Sequence, residues 1–116
     1  VTHAIRGLIP RTPGTSLEVL GGIQAPPLER TPRNRKLWEA ALAAGSRLGI
    51  KLEEGTSGGA SDGNTTSQYA ATLDGLGSVG DGAHALHEHV VAKALPSRSA
   101  LLAELLLSPV SSGDEW

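Results

Sequence analysis

The stretch from Gly58 to Glu88 constrains this chain more than any other: GGASDGNTTSQYAATLDGLGSVGDGAHALHE. Glycines crowd both ends of a short apolar run, Ala70 to Leu73, and polar or imidazole side chains sit at each bend. Glycine frees the backbone for tight turns and for close approach to a ligand, and it weakens the interior of helices and strands. A segment of this kind cannot supply a core. It is suited to a site carried on loops, with the burial supplied by its flanks.

Those flanks limit the fold. The 116 residues hold 15 glycines and 7 prolines, no Phe, no Met, and only Trp38, Tyr69 and Trp116 as aromatics. A core must therefore be built from Leu, Val, Ile and Ala, and the turn content favours an α/β chain of one domain's length over a helical bundle. The net charge of −2 provides no attraction for nucleic acid or an anionic membrane. No apolar run approaches the roughly 18–20 residues of a membrane span. Cysteine is absent, which excludes disulfides, thiolate nucleophiles and Cys-type zinc sites, so a metal would have to be held by His and carboxylate.

Taken in order, residues 2–9 place Ala4, Ile5, Leu8 and Ile9 at helical spacing before Pro10 ends the pattern. Leu17 to Leu20 reads as a strand ended by Gly21-Gly22. Thr31-Pro32 is a helix start, with Thr as cap and Pro at the first helical position. That helix extends to about Leu48, with Leu37, Ala41, Ala44 and Leu48 on one stripe, Gly49 as its stop, and Arg33, Arg35 and Lys36 on a solvated face. Ile50 to Glu53 alternates as a short strand, and Asn64 to Tyr69 is suited to one or two helical turns capped by Ser61 or Asp62. Glu88 to Ala92 is a strand or an extended link. A final helix runs from near Pro96 to about Leu107, with Leu102, Leu105 and Leu106 as its buried face, and residues 108–116 form a flexible tail.

Three motifs stand together here: GGASDGN at 58–64, TLDGLG at 72–77, and GDGAH at 80–84 followed by Glu88. In combination they resemble the C-terminal part of the zinc-dependent amidohydrolases and exopeptidases of the glutamate carboxypeptidase, aminoacylase, acetylornithine deacetylase and succinyl-diaminopimelate desuccinylase family. The resemblance implies an α/β fold in which a mixed sheet is flanked by helices, with residues 25–107 as the C-terminal part of a metal-binding catalytic domain. Residues 1–24 would be the tail of an inserted α+β lid, through which such proteins form homodimers. The substrate implied is a small N-acyl amino acid or peptide, cut at an amide bond next to a carboxylate, and the expected compartment is the cytoplasm.

The resemblance also assigns roles. His84 would be a ligand to one of two zinc ions, with cobalt or manganese as substitutes, and Glu88 would orient a ring N–H or a neighbouring backbone group behind it. Gly59, Ser61 and Asn64 would lie beside the substrate's polar end, whereas Asp74 is read as structural. His87 and His89 are not assigned as ligands, because positions i, i+3 and i+5 share no helix face and a strand would split 84 from 87. The bridging aspartate and the glutamate that deprotonates the metal-bridged water have no match in these residues, so the chain is expected to be a C-terminal fragment, inactive alone. Two positions depart from the family pattern: Ala60 where glycine is common, and Ala25 where an arginine pairs with the substrate carboxylate. Ala25 favours the alternative, a non-catalytic relative or truncated chain that binds carboxylated ligands or a partner subunit.

Overall fold

The helix at residues 32–47 forms as its signals dictate, and the last helix of the chain packs on it. Thr31 is extended, and its Oγ1 accepts from the Asn34 N–H at 3.3 Å, with Pro32 opening the helix. Helix α2, Pro32–Arg47, ends at Leu48, and Gly49 takes a positive φ of 68° beyond it, a conformation glycine adopts without strain. The computed structural model describes residues 1–108, in which α1 (Thr2–Arg6), α2, α3 (Asp62–Thr66) and α4 (Leu95–Leu107) accompany β1 (Gly80–Asp81) and β2 (His89–Val90). A 3₁₀ turn at Ala92–Ala94 leads into α4. The chain is thus a mixed α/β structure with one two-stranded antiparallel sheet among the described residues, in register Gly80 to Val90 and Asp81 to His89.

Burial concentrates where α2 meets α4. Ala41, Ala44 and Leu101 are fully buried, and Arg47 Nε lies 2.6 Å from Glu104 Oε1 across the same pair of helices. Gly45 is required here, since a Cβ would stand 2.9 Å from the Ile50 carbonyl oxygen and 3.0 Å from Leu52 Cδ1. Residues 50–52 therefore cross the helix at close range, and Ile50 and Leu52 turn inward while Lys51 and Glu53 stay exposed.

The expected buried face of the last helix is corrected. Leu101 is buried and Leu105 half-buried, while Leu102 is 43% and Leu106 77% exposed. The inward stripe is Ala94, Arg98, Leu101, Leu105 and Ser108. Leucines at 101, 102, 105, 106 and 107 satisfy helical spacing in two phases one residue apart, and only the position of α2 selects between them. Arg33 is likewise not on a solvated face: its guanidinium donates to the Ser67 carbonyl.

Two predicted strands do not form a ladder. Segments 17–20 and 50–53 are outside any strand, because a strand exists only with a partner strand to take its N–H and C=O groups, and among the described residues the one pairing is β1 with β2. Residues 1–24 are exposed throughout. The radius of gyration is 19.6 Å with extents of 64 × 41 × 17 Å, against about 13 Å for a compact chain of this length. The shape is a flat, extended one, and Ile9, Leu20, Ile23, Leu106 and Leu107 stand in solvent. The tail expected at 108–116 lies, beyond Ser108, outside the described residues.

Candidate functional site

The glycine-rich turn is built by its own side chains. Ser61 caps α3: its Oγ accepts from the Gly63 N–H at 3.1 Å, and Asn64 Oδ1 accepts from the Ser61 N–H at 2.9 Å, closing a capping box. Asn64 Nδ2 donates to the Pro26 carbonyl at 2.9 Å, which ties the turn to the segment that precedes α2. Gly59 is exposed, and its N–H donates to Ser57 Oγ at 3.2 Å. Of the two candidate caps, Ser61 serves and Asp62 occupies the first turn.

Asp74 joins this turn to the next segment. Its Oδ2 accepts from Ser61 Oγ at 2.5 Å and its Oδ1 from the Gly75 N–H at 2.7 Å. These hydrogen bonds, Ser61's first, hold the Asp74 carboxyl below the usual carboxylate range. Both Asp74 carboxylate oxygens are thus engaged within these loops. Residues 74–77 then pass α4, where Arg98 donates from Nη2 to the Gly75 carbonyl at 2.6 Å and from Nε to the Gly77 carbonyl at 2.9 Å.

The third motif is a β-hairpin. Strands β1 and β2, extended by the Val91 N–H to Val79 carbonyl bond of 2.8 Å, support a loop of residues 82–88. Two successive turns fold that loop: Ala85 N–H bonds to Gly82 O at 2.8 Å, and Glu88 N–H to Ala85 O at 3.0 Å. Gly82 has a φ of 73°, in the left-handed region that glycine adopts without strain. Gly80 must be glycine, since a Cβ there collides with the His89 carbonyl.

His84 sits at the third position of the first turn with a φ of 66°, the one non-glycine residue at positive φ among those described. That position of a type II turn demands positive φ and ordinarily takes glycine or asparagine. Holding a histidine there costs about 1–2 kcal/mol. His84 is exposed, as are His87, Glu88 and His89. His89 Nδ1 lies 3.1 Å from the His87 carbonyl oxygen, so that ring is engaged with its own loop.

The donors present do not make a metal site by themselves. Among the described residues no three His, Asp or Glu side chains are placed to share an ion, whereas zinc takes four ligands. His84 offers one imidazole on a fixed turn. The turn at 58–64 and the hairpin at 80–90 are connected through residues 74–77 and α4, and α3 does not touch either strand. Two residues of this framework escaped the sequence reading. Arg98 lies in the last helix, outside the three motifs. Asn34, 6% exposed, accepts from the Thr72 N–H and donates to the Glu29 carbonyl, both at 2.8 Å; only its position in the first turn of α2 hints at such a role.

Comparison with known proteins bears on what this framework is for. The family model of peptidase family M20/M25/M40 matches residues 14–108, a span that holds all three motifs. Searches of curated proteins and of solved structures gave no match. No helix among the described residues is long and apolar enough to cross a membrane. With most of its length matched by that one family, the chain belongs to peptidase family M20/M25/M40, whose members are hydrolases that are generally metal-dependent.

Proposed function

We propose that this chain is the C-terminal part of a zinc-dependent hydrolase that cleaves an amide or peptide bond next to a carboxylate, of the carboxypeptidase or N-acyl amino acid deacylase kind. The observation that carries the reading is the hairpin loop that displays His84 at an exposed turn in a left-handed backbone conformation, within a chain of a peptidase family. Strained positions of this kind gather where a side chain must be presented to a ligand. In this reading His84 contributes one ligand to a two-zinc centre whose other ligands come from elsewhere, and Glu88 stands behind it. Zinc supplies a Lewis acid when bound.

Residues 25–107 then belong to the catalytic domain, a mixed sheet flanked by helices, and residues 1–24 to a lid through which a homodimer forms. The exposure of every residue in 1–24 agrees with a segment that completes its core elsewhere. The turn at 58–64 borders the substrate. Gly59, Ser61 and Asn64 shape that border, with Ser61 and Asn64 spending hydrogen bonds on the turn itself.

The test is metal analysis of the full enzyme. His84→Ala should lower zinc content and reduce turnover by more than about 100-fold, beyond the usual loss for groups that only support a ligand. His87→Ala and His89→Ala should do far less, and circular dichroism should be unchanged in all three. Unaltered zinc stoichiometry and rate in His84→Ala would sink the assignment. A second reading rests on Ala25, which is exposed at a bend and cannot make a bidentate contact to a carboxylate. A non-catalytic relative would bind a carboxylated ligand or a partner subunit by calorimetry, with no turnover.

A further inference from the structure

The three motifs are not three independent loops. Residues 74–77 form a strap whose first residue grips the glycine turn, through Asp74 and Ser61 at 2.5 Å. The strap's two glycine carbonyls are gripped by one guanidinium, Arg98, at 2.6 and 2.9 Å. Beyond Gly77 the chain enters β1, crosses the hairpin loop, and returns through β2, Val91 and the 3₁₀ turn into α4, the helix that carries Arg98. The guanidinium therefore closes a ring. It joins the upstream stem of the hairpin to the helix that continues the downstream stem.

Without that closure little holds the hairpin in place. The sheet has two residues per strand, its residues are exposed on both strands, and an isolated two-stranded hairpin is marginal in water. Neither strand touches α2, α3 or α4. Arg98 is half-buried on the inward stripe of α4, and its planar fork fits two carbonyls two residues apart better than a lysine would.

We propose that Arg98 is a positioning residue: it sets where the His84 hairpin stands relative to the Ser61 turn. The functional meaning of that placement rests on His84 being a ligand; the placement itself does not.

The chain has no native cysteine, so pairs of spin labels can be introduced cleanly and their separation measured by pulsed electron paramagnetic resonance, with no metal present. One pair, Thr65→Cys on α3 and Leu86→Cys at the solvent-exposed tip of the hairpin loop, reports the placement. A second pair, Ala43→Cys on α2 and Ala103→Cys on α4, both exposed, reports the helix packing. Arg98→Ala should broaden the first distribution about twofold or more, as loss of two charge-assisted bonds frees the hairpin, and leave the second unchanged. Arg98→Lys, which keeps the charge and can reach one carbonyl, should fall between. An unchanged 65–86 distribution in Arg98→Ala overturns the proposal. So does equal broadening of both pairs, which would make Arg98 a support of the whole fold. If His84→Ala leaves zinc unaltered in the full enzyme, the ligand reading fails while this measurement stands.

Discussion

Asn34→Ala should be among the most damaging single changes to this chain, although it removes no apolar group. The Asn34 amide is 6% exposed and satisfies two main-chain groups from segments far apart in sequence, the Thr72 N–H and the Glu29 carbonyl, each at 2.8 Å. Alanine leaves the Thr72 N–H without a partner, whereas the Glu29 carbonyl keeps the Thr31 N–H at 2.8 Å. A buried polar group left unsatisfied costs about 1–3 kcal/mol. The Thr72 N–H lies at a part-buried position that water can enter after truncation, so the lower half of that range applies, about 1–2 kcal/mol. That overlaps the lower end of what full burial of one leucine is worth, about 1.5–3 kcal/mol, in a chain with Leu101 as its one fully buried large side chain among the described residues. Urea unfolding followed by circular dichroism measures the loss, and amide exchange at Thr72 locates it. Asn34→Asp keeps the acceptor for Thr72 but sets a carboxylate against the Glu29 carbonyl, and should be no better than alanine. A loss below about 0.5 kcal/mol, the level of an ordinary surface substitution, with unchanged Thr72 exchange would refute the reasoning.

Two further outcomes follow from the site and the core. The Asp74 carboxyl titrates below its ordinary value of 3.8 because it accepts from Ser61 and Gly75; a depressed folded-state pKa contributes stability that is present above 3.8 and lost as pH falls through the lowered value. Ser61→Ala removes the larger cause, so the Asp74 carboxyl resonance should titrate higher by NMR, and an unmoved midpoint would count against the bond. On α4, Leu101→Ala should cost about 2–5 kcal/mol and Leu102→Ala under about 1 kcal/mol in denaturant unfolding; equal losses would mean the helix is seated in the other phase.

Local chemistry was legible in the sequence, and contacts between distant segments were not. The Thr31-Pro32 start and Gly49 stop of α2 depend on neighbours within one turn, so composition and spacing determine them. The Ser61 cap of α3 and the glycines that fold the hairpin loop are local in the same way, and the order of the three motifs was enough to indicate the family. Spacing could not choose between Leu101 and Leu102, because two phases one residue apart bury equally good leucines until α2 is in place. It could not form strands at 17–20 or 50–53, since pairing belongs to two segments and the sequence of one does not contain the other. The sequence pointed to His84, but its left-handed backbone came from the turn geometry. Asn34 and Arg98 were invisible because the contacts that matter, Asn34 with the Thr72 N–H and Arg98 with the Gly75 and Gly77 carbonyls, are to main-chain groups more than 20 residues away, which carry no signature in residue type. Tertiary structure alone decided that Asn34 fixes Thr72 and Glu29 beside α2, and that Arg98 grips the strap between the Ser61 turn and the hairpin.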